Sequence, residues 1–148
     1  MTRILLIDDD VKLTFFSADH EHRRLIAPPR DATGIPIASF PELCDLKAIV
    51  VSSRSKSRDW LDLFVLERDY QYGLEEWKRA YDKAGLSTAH FESALRRICN
   101  GALSPNDEGF EALIDNPPTV EVIAAHFSRL RSAYEVDLAR KTLENGKT

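Results

Sequence analysis

From Ser39 onward the chain repeats one pattern: a start signal, apolar residues three and four apart, then a stop. Only a helix keeps such residues on one face, so this pattern commits most of the chain to helices that must bury against one another. Ser39-Phe40-Pro41-Glu42 reads as a capping box with an early proline. It predicts a helix from about Pro41 to Ser52, with Leu43, Leu46, Ile49 and Val50 as the buried stripe. Ser53 to Ser57 is a polar link. A second helix, about Arg58 to Tyr70, buries Trp60, Leu61, Phe64 and Val65, and Gly73 breaks it. A third, Leu74 to Ala84, ends at Gly85, a natural C-cap. Ser87 opens a fourth that carries Phe91, Leu95 and Ile98, and Gly101 closes it. A shorter helix is expected over Asp107–Ile114. After Pro117-Pro118, Thr119 caps a long final helix reaching about Glu144. Its stripe of Phe127, Leu130, Tyr134 and Leu138 reads first as core packing and second as a partner groove.

The start of the chain has a different period. Arg3 to Ile7 and Val11 to Phe16 are β-prone, with Asp8-Asp9-Asp10 between them, and predict a hairpin. Ser17 to Thr33 reads as a loop around Pro28-Pro29, and Gly34 to Ala38 as a short extended piece. Strands first and helices after predict an α+β fold: a small N-terminal β-hairpin or sheet followed by a bundle of about five helices. At 148 residues the chain suits a single domain over 1–148, β-rich in 1–38 and helical in 39–148.

Composition excludes several classes of function. A formal charge of -4 argues against a general nucleic-acid coat, so a phosphate site has to be a local patch. Cys44 and Cys99 sit among apolar residues and read as reduced thiols of a cytoplasmic protein. No apolar run approaches the roughly 20 residues that span a bilayer, so no membrane partner is expected. MTRILLIDDD is too short in its apolar part, and too acidic, for a secretory signal. His20 and His22 lack further zinc ligands nearby, and no residue is assigned to a metal. There is no GxSxG elbow, Walker loop or GxGxxG. ILLIDDD has the shape of a receiver-domain strand end, but VVSSRSKS lacks the phosphoacceptor aspartate, so the aspartates read as a solvated turn.

The chemistry concentrates in Asp45–Leu66, DLKAIVVSSRSKSRDWLDLFVL. Lys47, Arg54, Lys56 and Arg58 stand there beside Asp59 and Asp62. Cations so spaced attract phosphates, and a carboxylate just beyond orients a nucleotide or a cation. The plainer reading is a solvated lysine at 47, a dipole-stabilising Asp59 in a first turn, and a salt-bridged Asp62 near the buried stripe.

Residues 38–66, ASFPELCDLKAIVVSSRSKSRDWLDLFVL, resemble the C-terminal half of the AbiEii-type nucleotidyltransferase family. That family contains toxins of AbiE abortive-infection and toxin–antitoxin systems. The resemblance rests on Asp45-Leu46, Lys47, Arg54 and Arg58-Asp59 with Asp62-Leu63; DEGFEALIDNPPTV, from Asp107 to Val120, is also similar to one branch. It implies a polymerase-β-like core, of which the hairpin is a remnant. It also implies transfer of a nucleotide from an NTP, with Mg²⁺, to an acceptor such as tRNA. Lys47 would contact the triphosphate, and Arg54 and Arg58 would assist the phosphates. Asp59 or Asp62 would be the second-half catalytic acid, with Asp62 favoured. An antitoxin protein is the implied partner. The family's Gly-Ser…Asp-x-Asp metal-binding element has no counterpart here, and Gly34 is the first glycine. The expectation is a domain inactive alone, or the back half of a truncated reading frame. The alternatives are a non-enzymatic interaction module, pairing with an antitoxin or a second copy, and a transferase completed by carboxylates of another chain.

Overall fold

The computed structural model describes residues 2–7, 11–16, 38–111 and 114–146. The expected turn at Asp8–Asp10, the loop from Ser17 to Thr33 with His20 and His22, and residues 34–37 of the extended piece lie outside them. Among the described residues are two strands and five helices: β1 (Thr2–Ile7), β2 (Val11–Phe16), α1 (Phe40–Ser53), α2 (Ser57–Tyr70), α3 (Leu74–Ala84), α4 (Thr88–Cys99) and α5 (Val120–Asn145). The strands pair antiparallel with each other, Thr2 opposite Phe16 and Ile7 opposite Val11.

The expected α+β class is corrected. The described residues from 38 onward form an all-helical bundle, and a sheet is not one of its layers. Its buried apolar core comes from the five helices and the loop residue Phe110. α1 packs on α2, α3 and α4, while α5 closes over α2, α3 and α4. The buried stripes meet one another, so among the described residues the core is built from helix on helix.

The helix ends follow from their residues. The Ser39 N–H and hydroxyl both donate to the Glu42 carboxylate, each at 2.7 Å, which fixes the start of α1. The other end of α1 is capped from outside: the Arg97 guanidinium on α4 donates to the carbonyls of Val51 at 2.7 Å and Ser52 at 2.6 Å. Those are last-turn acceptors with no partner within their own helix. α2 ends before Gly73, at Gln71, whose φ of 57° lies in the left-handed region. Gly85 ends α3 at φ 76°, with the Leu86 N–H donating back to the Tyr81 carbonyl at 2.9 Å.

At the centre stands Trp77, 2% exposed. Its ring meets Phe91 of α4 and Phe127 of α5 edge-on, with centroids 5.7 and 5.8 Å away. Its indole N–H donates to the Ala48 carbonyl of α1 at 3.0 Å. A small residue at 48 lets the indole reach that carbonyl, and this rotates α1 from its expected setting. Cys44, Ala48, Ile49 and Val51 are buried; Leu46 and Val50 are only partly so, and Leu43 is 48% exposed. On α2 the buried apolar residues are Trp60, Leu61, Leu63 and Leu66, with Phe64 and Val65 partly covered. On α5 the stripe fades outward from buried Phe127 through partly buried Leu130 and Tyr134 to exposed Leu138. The short helix expected over Asp107–Ile114 is not formed among its described residues. Gly109 adopts φ 72°, and the Asp107 carboxylate accepts from the Gly109 N–H at 3.2 Å, which holds a turn there.

Burial pushes the phenol of Tyr81, 1% exposed, up to about 12. The folded state thus resists ionisation that the unfolded chain undergoes near pH 10, so the contribution of Tyr81 to stability is complete below pH 10 and is lost as pH rises through 12. The loss amounts to about 2–3 kcal/mol. Urea denaturation of wild type and Tyr81→Phe at pH 8, 10 and 11.5 measures it: the difference between the two proteins shifts toward the variant by that amount as pH rises.

Candidate functional site

The segment singled out by its charges spans the last turns of α1, the link 54–56 and the start of α2. Backbone and serine bonds pin the link to a second loop some fifty residues on. The Ser104 N–H donates to the Ser55 carbonyl at 2.7 Å, and the Ser55 hydroxyl donates to the Ala102 carbonyl at 2.7 Å. The Ser57 hydroxyl and N–H donate to the two oxygens of Asp107 at 2.6 and 2.9 Å. Burial tends to raise the Asp107 carboxyl. The bonds from Ser57 and Gly109, with the Lys56 charge, outweigh it and hold the group below its ordinary value. The expected polar link is thus a docked strap: Ser55 is 6% exposed and Ser57 is 1%.

Every cation of the segment meets a carboxylate. Lys47 on α1 and Asp62 on α2 join at 2.5 Å, both side chains about half exposed. Arg54 holds Asp59 with a two-pronged contact, Nε to Oδ2 at 2.8 Å and Nη2 to Oδ1 at 2.9 Å. The hydrogen bonds to Asp59 raise the guanidinium above its ordinary value, and the charges of Asp59 and Asp62 add to the effect. Arg58 reaches Glu108 at 3.0 Å and Lys56 reaches it at 3.5 Å. Lys47, Arg54, Asp59 and Asp62 therefore form one charged cluster across α1 and α2, and Arg58 stands apart with the 102–108 loop.

Asp59 stands in the first turn of its helix, as expected, but the burial of the two acids is the reverse of the expected one. Asp59, read from sequence as a first-turn carboxylate at the dipole, is 1% exposed, while Asp62, read as the acid near the buried stripe, is half exposed. α2 begins at Ser57, and this register turns Asp59 inward beside Trp60 and Leu61, where the Arg54 fork and the helix N-terminus together stabilise its charge. The sequence reading missed Asp107 and Glu108 as partners of this segment. Their one signal in the sequence was their place at the head of the Asp107–Val120 stretch.

The histidines of the bundle are engaged elsewhere. His126 meets Glu67 at 2.7 Å between α5 and α2, and His90 meets the Ser87 hydroxyl at 2.8 Å at the start of α4. Both cysteines are free thiols. Among the described residues no group of three or more histidines, cysteines or carboxylates converges as a metal site, and no helix is long and apolar enough to cross a membrane. Mg²⁺ requires several hard oxygens in near-octahedral array. Both Asp59 oxygens face Arg54, and Asp62 faces Lys47. The described donors do not fit that ion.

The two carboxylates differ in what their removal costs. Asp59→Asn leaves a guanidinium without its buried counter-ion and destabilises by about 2–3 kcal/mol. Asp62→Asn breaks a solvated pair and costs less than about 1 kcal/mol. Urea midpoints of both variants at neutral pH test this ordering. No protein-family model matches the chain, and neither a curated protein nor a solved structure matches it.

Proposed function

We propose that this chain is a nucleotidyltransferase-like domain that binds the triphosphate of an NTP weakly through Lys47, with Arg54 and Arg58 assisting, and does not transfer the nucleotide by itself. One observation carries the reading: Lys47, Arg54, Asp59 and Asp62, the residues of the family resemblance, meet in one cluster although they are spread over two helices and a link. The second stretch of resemblance, which opens at Asp107, docks against the same link.

The cluster retains donors for a phosphate. An ammonium has three N–H bonds, and Asp62 takes one from Lys47. A guanidinium has five, and Asp59 takes two from Arg54. Asp62 holds the Lys47 ammonium in place, and Asp59 is the positioning residue for Arg54. Four carboxylates surround the four cations of the segment, so little field remains to draw in an anion, and affinity is weak, on the order of millimolar. Among the described residues no carboxylates are arranged for Mg²⁺, and no transfer step is assigned to these residues.

Titration of ATP or GTP with Mg²⁺ into wild type and Lys47→Ala, followed by amide NMR shifts, checks the binding. Saturation in the millimolar range, weakened roughly tenfold in the variant, is expected; superimposable titrations would remove the proposal. Incubation with radiolabelled NTP and tRNA is expected to give no incorporation, and incorporation by the chain alone would replace this reading with that of an active transferase.

The second reading, an interaction module for an antitoxin or another copy, is favoured by α5. Its 26 residues run about 39 Å at 1.5 Å per residue, yet its buried residues stop at Phe127, and Val136 and Leu143 are each 70% exposed. Sedimentation equilibrium of wild type and of the double variant Val136→Glu, Leu143→Glu decides: this reading expects self-association or antitoxin capture that the double variant loses.

A further inference from the structure

A cavity of about 250 Å³ lies between α3, α4 and α5, lined by none of the residues of the Lys47 cluster. Its floor is apolar: Phe91 and Leu95 are 3% and 4% exposed, and Tyr134 stands edge-on to Phe91 with ring centroids 6.3 Å apart. Leu138, 39% exposed, extends the apolar wall toward solvent.

The rim carries three cations, Lys78, Arg96 and Arg131, and two carboxylates, Glu92 and Glu135, one more positive charge than negative. Arg131 bonds Glu135 at 2.8 Å, and the Glu92 charge also faces it. Lys78 and Arg96, which line the same cavity from α3 and α4, have no hydrogen-bond or ion-pair partner among the described residues. Their setting differs from that of the cations on the α1–α2 face, each of which meets a carboxylate. An apolar pocket with a few convergent polar groups is the usual form of a small-molecule site, and this one is slightly below the usual range of about 300–1,000 Å³.

We propose that this cavity binds a small amphipathic carboxylate, its aromatic or short alkyl body on Phe91, Leu95, Tyr134 and Leu138 and its carboxylate between Lys78 and Arg96. The class follows from the lining. A cationic ligand would meet a lining that holds one more positive charge than negative. A fully apolar one would fill the floor and make no use of the charged rim. A planar guanidinium matches a carboxylate with two parallel bonds, and the Lys78 ammonium adds a point charge. The proposal is independent of the nucleotide reading, because the two sites share no residue.

The probes are 4-phenylbutyrate and its neutral counterpart 4-phenylbutanamide, titrated into the full chain with amide NMR detection. The acid is expected to shift Phe91, Leu95, Tyr134 and Leu138 saturably and to bind roughly tenfold tighter than the amide, the scale of one charged contact. The double variant Lys78→Ala, Arg96→Ala is expected to bind the acid at least roughly tenfold more weakly, with the melting curve and the ATP titration unchanged. No saturable shift at these residues, equal binding of acid and amide, or shifts confined to the Lys47 face would overturn the proposal. So would shifts of the cavity residues that track protein concentration without the acid, since a second copy would then be the occupant.

Discussion

The bundle depends on how Trp77 is satisfied. An indole brought fully inside must find an acceptor for its N–H, since an orphaned donor costs about 1–3 kcal/mol. Here the acceptor is the Ala48 carbonyl, and that bond fixes the rotation of α1 against α3. The ring then sets the distance to α4 and α5 through Phe91 and Phe127. One side chain thus couples four helices. The fifth, α2, joins through its own buried face of Trp60, Leu61, Leu63 and Leu66.

Once α1 is set, the charged face follows. Turning Ala48 inward leaves Lys47 at the surface, where the neighbouring helix offers Asp62. The link is held by the 102–108 loop through serine hydroxyls and Asp107, so Arg54 leaves a fixed strap and folds back on Asp59. The cluster is rigid at its buried acid and accessible at its half-exposed lysine. That combination suits a weak contact to phosphate and, among the described donors, does not suit the coordination of a divalent ion.

Helix positions were legible along the chain because local rules govern them. The α3 bounds coincide with the expected Leu74–Ala84, and the expected ends of α1, α2 and α5 fall within a residue of those observed. Burial was less legible. Leu43 was expected inside and lies half exposed, because the choice of inward face was made by an indole on another helix. The class was misread for a related reason: the β-prone start of the chain says nothing about whether the helices need a sheet to cover them. The expected helix at Asp107 gave way to a turn because its carboxylate is bound by Ser57, fifty residues earlier.

The sequence by itself determined where helices start and stop and which residues carry chemistry: caps, glycines and charge spacing act over a few positions, within reach of local physics. Only the tertiary structure decided which acid is buried, which cations are neutralised and which remain free. Asp59 and Asp62 are three apart on one helix, and the first-turn position of Asp59 does not reveal which of them is buried; the docked strap that delivers Arg54 to one and the α1 rotation that delivers Lys47 to the other are long-range consequences of core packing. Lys78 and Arg96 read as ordinary surface cations in the sequence, and it is the meeting of three helices that places them over an apolar floor.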